Sequence, residues 1–199
     1  MPRPNAYPPD LRDRLILAAA ERLAEDGPQT LSLRELAASQ ETSTNAIYSI
    51  FGGKAQLIAA VVDAARASFV AAQQEALGEG DSLQTLAALG TAYRAWALAH
   101  PSMYRVMFSC DPHLDFERPR LENMIPLRGT LARLIEEGAV QDAEVAPVAR
   151  SLWAAVHGWV MLEIADGAAP GPGQDAAFGE HLRRAFLGLA SDELRSRYA

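Results

Sequence analysis

Apolar side chains recur three and four residues apart along nearly the whole chain, with Ala, Arg, Glu and Gln between them. This spacing is typical of amphipathic α-helices, and no alternating pattern lasts long enough to indicate a strand. The sequence therefore predicts an all-α protein. About nine helices are predicted, over residues 11–26, 33–39, 44–51, 54–77, 82–99, 102–109, 121–137, 143–165 and 175–189.

Two of these helices are only seven and eight residues long, and a turn of about four residues joins them. Ser32 and Glu35 fit a capping box at the start of the first helix, and Ser43 can cap the second. Helices this short are marginal in water by themselves, so the pair must pack against the helix before it, which Asp10 can cap. The pattern predicts a three-helix unit.

The second short helix begins with small polar side chains, those of Ser43, Thr44 and Asn45. In a helix-turn-helix, the second helix enters the major groove of DNA and its N-terminal residues meet base edges. Three side chains are suited to phosphate contacts. Tyr48 lies one turn further along the second short helix, Arg34 lies on the first short helix, and Lys54 begins the helix that follows. The alternative is that residues 32–54 form an ordinary packed helical hairpin.

The segment LSLRELAASQETSTNAIYSIFGGKAQL resembles the N-terminal domain of TetR-family transcriptional regulators. In that pattern a Ser-led recognition helix is followed by Tyr, Phe, Lys and Leu, and this chain matches it. The matching residues are Ser43, Tyr48, Phe51, Lys54 and Leu57. The resemblance implies a helix-turn-helix domain over residues 1–53, which the helix 54–77 connects to the rest. It also implies DNA contacts from Ser43, Thr44, Asn45, Tyr48 and Lys54, with help from Ser32 and Arg34.

Glu41 departs from this pattern, because the family usually has a small residue there, often Gly. If the turn requires a positive φ at this position, Glu costs roughly 1 kcal/mol or more. Its carboxylate would also repel DNA phosphates. The alternative interpretation of the chain is therefore an all-α small-molecule-binding protein with weak or lost DNA binding.

The remainder, residues 82–199, is predicted to form a second domain. The segments HPSMYRVMF and SLWAAVHGWVMLEIAD resemble the regulatory domain of TetR regulators with a Trp-His-Gly signature, here Trp153, His157 and Gly158. Aromatic and methionine side chains suit a cavity for a small apolar effector, and they equally suit a core. The predicted ligand-binding residues are Phe69, Tyr93, Trp96, Tyr104, Met107, Phe108, Leu127, Leu131, Trp153 and His157.

The last two predicted helices carry more apolar side chains than one subunit is expected to bury. Such a surplus favours an isologous homodimer through a four-helix bundle, and the family resemblance implies the same. The predicted interface residues are Val156, Val160, Phe178, Leu182 and Phe186. Two recognition helices spaced about 34–36 Å apart would read a palindrome of double-stranded operator DNA.

Charge and composition narrow the possible functions further. The formal net charge of -7 argues against a protein that coats nucleic acid nonspecifically. The chain has one cysteine and no Cys/His cluster with zinc spacing, so we expect no internal disulfide and no metal site. A single cysteine also favours a cytoplasmic location. No signal segment or apolar run indicates a membrane partner.

No catalytic constellation stands out: the four histidines are scattered, and Cys110 near His113 is interpreted as a bystander thiol. We therefore expect no enzyme activity and no cofactor. The sequence predicts a ligand-responsive transcriptional regulator, as a repressor that binds its operator as a homodimer and is released by a small apolar effector.

Overall fold

The structure, a computed structural model, describes residues 7–78, 80–109, 124–141, 144–167 and 171–198. Those residues form ten helices and no strand, as an all-α fold requires. The helices are α1 (Leu11–Asp26), α2 (Leu33–Ser39), α3 (Thr44–Phe51), α4 (Lys54–Glu75), α5 (Ser82–Ala99), α6 (Pro101–Met107), α7 (Ile125–Glu136), α8 (Val145–Asp166), α9 (Pro172–Leu187) and α10 (Asp192–Tyr198).

The nine predicted helices are all present, with ends that differ by a few residues. The predicted start of α7, at residue 121, lies outside the described residues, as do Cys110 and His113. Sequence reasoning missed α10, which begins with Asp192 and Glu193. Acidic residues in the first turn and Arg195 and Arg197 in the last turn favour this short helix through its dipole.

The chain divides into two compact units. Among the described residues, the first unit holds 7–68 and 100–109, and the second holds 69–99 and 124–198. Helix α6 therefore groups with α1, against which it packs, whereas the sequence division placed it in the domain 82–199. Its buried face consists of Met103, Tyr104 and Val106.

The first unit has the core that its helical pattern predicts. The apolar residues that recur three and four positions apart along α1, and along the part of α4 in this unit, are buried. These residues are Leu11, Leu15, Ile16, Ala19 and Leu23 of α1, and Leu57, Ile58, Val61, Val62 and Ala65 of α4. The periodicity of the two longer helices thus builds the platform that carries the short pair.

Two predicted caps at the helix starts differ from the structure. Asp10 stands at the N-cap of α1 but makes no side-chain cap, because its carboxylate pairs with Arg14 Nε at 2.9 Å. The Glu35 carboxylate of the expected capping box instead lies 3.5 Å from Arg22 Nη1, which ties α2 to α1. The other half of that capping box is present, as described below.

The second unit is built from α5, α7, α8 and α9, with a core that includes Leu131, Leu134 and Leu152. Arg94 on α5 is 8% exposed and is compensated by two carboxylates. Glu163 of α8 binds its guanidinium through both oxygens, at 2.6 and 2.7 Å, and Asp175 of α9 binds it at 2.7 Å. This ion cluster fixes α8 and α9 against α5.

By length and composition, α4 meets the criteria for a membrane-crossing helix among the described residues. The residues that produce this hydropathy include Leu57, Val61 and Phe69, which are buried inside the folded units. A helix with an apolar face packed in a core passes the same test.

Candidate DNA-binding surface and ligand cavity

The turn between α2 and α3 is a Schellman motif. The amide of Thr42 donates to the Ala37 carbonyl at 2.9 Å, and the amide of Glu41 donates to the Ala38 carbonyl at 3.2 Å. This motif places the residue after the C-cap in the left-handed region, and Glu41 indeed has a φ of 51°. The positive φ expected for this turn is present, at a residue whose side chain disfavours it.

Helix α3 is anchored by one face and leaves the other open. Ala46 and Ile47 have no exposed surface, whereas Ser43 and Asn45 are exposed and Tyr48 is 56% exposed. The Tyr48 hydroxyl is therefore accessible to a hydrogen-bond partner outside the chain. The helix thus presents its N-terminal turn and one aromatic hydroxyl to the surroundings.

Serine hydroxyls cap both short helices, as predicted. Ser43 Oγ accepts the amide of Ala46 at 3.3 Å, and Ser32 Oγ accepts the amide of Glu35 at 3.4 Å. A hydroxyl that accepts through its oxygen still has its own proton to donate. Each serine can therefore cap its helix and bind an external acceptor, such as a phosphate or a base edge, at the same time.

Two basic side chains lie on the helices before and after α3. Arg34 is exposed on the first turn of α2, and Lys54 opens α4, where Lys54 Nζ donates to the Gln29 carbonyl at 3.2 Å. That bond holds the ammonium near the end of α1 without neutralising its charge. Arg12 of α1 lies above the ring of Phe51, the last residue of α3, with its guanidinium carbon 5.6 Å from the ring centroid.

The second unit contains a cavity of about 330 Å³, within the usual range for small-molecule sites. It is bounded by α4, α5, α7, α8 and α9, and its walls are mostly aliphatic and aromatic. The lining side chains include Gln73, Leu83, Leu86, Leu89, Tyr93, Leu127, Leu152, Trp153, Val156, Leu182, Phe186 and Leu187. This composition suits an apolar ligand.

One hydrogen-bonded pair stands at the cavity wall. The Tyr93 hydroxyl lies 3.1 Å from His157 Nδ1, and the His157 ring stacks on the Trp153 ring at 5.1 Å. Burial lowers the pKa of His157 below its ordinary value of 6.5, because a charged imidazole loses hydration there. The neutral imidazole therefore orients the tyrosine that lines the cavity.

The predicted ligand-binding residues fall into three groups. Tyr93, Leu127 and Trp153 line the cavity. Buried beside it in the second unit are Phe69, Trp96 and Leu131, and His157 is the partner of Tyr93. The remaining three belong to the first unit: Tyr104 and Met107 on helix α6, and Phe108 at its C-cap.

Sequence reasoning missed Gln73, Leu83 and Leu86 as cavity residues. Leu83 and Leu86 pack against the core of the second unit and also line the cavity. Gln73 had a detectable signal, because it follows Ala65 and Phe69 at four-residue intervals on the buried stripe of α4. A polar residue in register with an apolar stripe needs a partner or a ligand.

The five residues predicted at a dimer interface face the interior of the second unit. Val156, Leu182 and Phe186 line the cavity, while Val160 is fully buried and Phe178 is 3% exposed beneath the Arg94 guanidinium. The exposed side of α8 instead holds small and apolar residues. They are Ala154, Gly158, Met161, Leu162 and Ala165.

Comparison with known families identifies both parts of the chain. Residues 15–61 match the family described as "Bacterial regulatory proteins, tetR family". Residues 86–185 match the family described as "Tetracyclin repressor-like, C-terminal domain". The two matches include the α2–α3 pair and most of the cavity. No curated protein matches the chain by sequence.

Solved structures share the fold. A TetR family transcriptional regulator, PfmR from Thermus thermophilus, is 24% identical, with 85% of this chain and 95% of that chain covered and a TM-score of 0.67. A TetR family transcription regulator from Marinobacter aquaeolei is 16% identical, with 92% and 96% covered and a TM-score of 0.75.

The fatty acid degradation regulator FadR from Bacillus halodurans is also 16% identical, with 90% and 94% covered and a TM-score of 0.68. Identities this low show the fold alone. Together, the capped helix pair, the all-α architecture and the family matches at both ends establish that the chain belongs to the TetR family of transcriptional regulators.

Proposed function

We propose that the protein is a repressor that binds a palindromic operator as a homodimer and is released when a small apolar effector occupies its cavity. The observation that supports this most is the exposed polar tip of α3, held on a fully buried backing of Ala46 and Ile47. A groove-reading helix needs this combination of rigidity and exposure. The same proposal puts the protein in the cytoplasm, where its DNA would be.

The DNA contacts divide by chemistry. Ser43, Thr44 and Asn45 occupy the start of α3 and would meet base edges, with Asn45 favouring adenine. The residues that would hold phosphates offer hydroxyl or cationic donors: Ser32, Arg34, Tyr48 and Lys54. The phosphate contacts would position the subunit, and the three residues at the tip would supply the specificity.

The homodimer would form through the exposed stripe of α8 rather than through the five residues predicted from sequence. Leu162 is 66% exposed and Met161 is 40% exposed on the surface of one subunit. A Cβ added at Gly158 would meet nothing within 4 Å, so a second helix can approach the stripe closely there. An isologous pairing of this stripe removes an apolar surface from water.

Ligand response would follow from the continuity of α4. This helix begins at Lys54 beside the recognition pair and reaches Gln73 in the cavity wall. An effector that favours one position of α4 shifts the equilibrium between DNA-competent and released states, and the coupling is reciprocal. Operator DNA would therefore weaken effector binding by the same factor.

The test is fluorescence anisotropy of the purified protein on labelled duplex DNA from upstream of its own gene, at two salt concentrations. We expect binding that falls with salt and far exceeds binding to a scrambled duplex. Asn45→Ala should cost about 1–3 kcal/mol of specific binding. Equal affinity for both duplexes would refute the proposal.

A second candidate is an all-α small-molecule-binding protein that has lost DNA binding. Glu41 favours it, because an exposed carboxylate stands in the turn that leads into α3. Tyr48→Ala and Lys54→Ala separate the two candidates. If neither change alters DNA affinity, the surface of α3 has no role in DNA binding and the second candidate stands.

A further inference from the structure

The cavity wall holds one buried amide in an otherwise apolar surrounding. Gln73 is 5% exposed, and its Nε2 donates to the Leu89 carbonyl at 3.4 Å. Because that carbonyl can only accept, the side chain must present its nitrogen to it. The carboxamide oxygen then remains as an acceptor and the second Nε2 proton as a donor, and among the described residues nothing is bonded to either.

Tyr93 is the second buried polar group of the lining, at 6% exposed, and His157 Nδ1 already engages its hydroxyl. Thr91 Oγ1 donates to the Ala87 carbonyl at 3.0 Å and stands on the exposed side of α5. The Gln73 oxygen is therefore the acceptor best placed to select a ligand that enters the apolar part of the cavity.

Charge at the cavity is confined to its rim. Among the described lining residues, Arg183 alone is charged, and it is exposed. Glu180 binds its guanidinium through both oxygens, at 2.7 and 2.9 Å. Hydrogen bonds from Arg183 and Arg184 lower the pKa of Glu180 to about 2, so the carboxylate stays ionised and paired at neutral pH. An anion pushed deeper would lie among aliphatic walls without a buried cation.

We infer that the cavity selects an uncharged amphiphile, a neutral alcohol with an apolar chain or ring, whose hydroxyl donates to the Gln73 carboxamide oxygen. This inference rests on the proposed ligand response and names its ligand class. It separates the cavity from a site for ionised carboxylates, which requires a fixed cation. It also separates the cavity from a purely apolar site, since a ligand without a donor leaves the buried oxygen unpaired.

Three probes with the same alkyl chain test the inference on the full-length protein: decanol, its methyl ether and decanoate. Binding at pH 7.5 is followed by calorimetry and by tryptophan fluorescence, because Trp153 lines the cavity. We expect decanol to bind about fivefold more tightly than the ether, which accepts but cannot donate a hydrogen bond. Decanoate should bind more weakly than either.

A matched pair of variants assigns the selectivity to one side chain. Gln73→Leu should lower the affinity for decanol about fivefold and abolish the preference for decanol over the ether. Gln74→Leu makes the same change at the next residue of α4, which is exposed, and should alter neither affinity. Thermal unfolding of both variants shows that they fold.

Several outcomes would overturn the inference. The inference is contradicted if decanoate binds the wild-type protein as tightly as decanol does, or if decanol and the ether bind equally. It is also contradicted if decanol shows no saturable binding. These outcomes do not depend on whether the variants fold. Operator binding without ligand is measured separately by anisotropy, and its loss would refute DNA binding instead. Specific DNA binding combined with a preference for decanoate would leave the proposed repressor intact and remove only the ligand class.

Discussion

The two units of this protein fill their interiors differently. Behind the recognition helix, Leu36, Ala46 and Ile47 have no exposed surface, and both short helices rest on a closed core. In the second unit, α4, α5, α7, α8 and α9 border a cavity of about 330 Å³ with apolar walls. Native interiors usually have few voids larger than a water molecule, so this cavity contrasts with the fully buried side chains that support α3.

The difference corresponds to what each unit has to do. Base readout needs side chains held in one arrangement, and a closed core below α3 provides that arrangement. Ligand uptake needs room and apolar walls, at the cost of the packing that would otherwise stabilise the unit. We therefore expect the same type of substitution to have unequal effects in the two units.

The largest expected effect comes from a matched pair of leucine truncations. Leu36→Ala removes a fully buried side chain beneath the recognition pair and should cost about 3 kcal/mol of unfolding free energy. Leu182→Ala removes a half-buried side chain that already borders the cavity and should cost about 1 kcal/mol. Urea denaturation followed by circular dichroism measures both.

The two leucine truncations should also affect DNA binding and ligand binding differently. Leu36→Ala is expected to abolish specific DNA binding in the anisotropy assay, because α3 loses its support. Leu182→Ala enlarges the cavity and should leave DNA binding in place while changing the affinity for decanol. Equal destabilisation by the two truncations would show that the cavity is filled in solution and would remove the contrast between the units.

A smaller effect is expected from the strained turn of the first unit. Glu41→Gly removes both the carboxylate and the left-handed strain, and should raise the unfolding free energy by about 0.5 kcal/mol after the extra flexibility of glycine is deducted. Glu41→Gln removes the charge alone, so it should leave stability unchanged. Both variants should raise DNA affinity about threefold by ending repulsion of phosphates.

The control for charge is Glu25→Gln, an equal change in net charge at an exposed position near the end of α1. It should leave DNA affinity where it is. If Glu41→Gln behaves like Glu25→Gln, the carboxylate of Glu41 does not lie near the DNA, and only its backbone conformation distinguishes this turn.

What could be predicted from sequence depends on how far apart the interacting residues lie along the chain. The caps at Ser32 and Ser43, the stripe of α1 and the conditional strain at Glu41 all depend on residues close together in the chain. Local rules of helix capping, hydrophobic periodicity and backbone conformation are therefore enough to predict them. The packing of α6 against α1 depends on residues far apart in sequence, and no local pattern specified which helix its apolar face would meet.

The cavity was harder to predict because it is a space left by several helices. Periodicity shows that Val156 and Leu182 belong to apolar faces, but the same pattern fits a core, a cavity wall or a subunit interface. The exposed stripe of α8 became visible only once its neighbours were in place. Gln73 was missed as well, although its polar side chain in the buried register of α4 indicates in the sequence that it needs a partner or a ligand.

The smallest expected effect concerns the imidazole behind the cavity wall. Because burial lowers the pKa of His157 in the folded protein, the unfolded chain binds the proton more readily as the pH falls below about 6.5. The contribution of His157 to stability is therefore complete above that pH and is lost on acidification. The melting temperature of the wild-type protein should fall more between pH 7.5 and 5.5 than that of His157→Gln.

The control is His181→Gln, which changes the same residue type on the adjacent helix α9, where the ring bonds the Ala155 carbonyl at 3.1 Å. That variant should keep the acid sensitivity of the wild-type protein. Protonation of His157 makes both ring nitrogens donors and so changes its hydrogen bond with the Tyr93 hydroxyl at the cavity wall, and decanol affinity should change over the same pH interval. An identical pH profile for the wild-type protein and His157→Gln would mean that the imidazole titrates as it does in water, and that the wall of the cavity is open to solvent at this point.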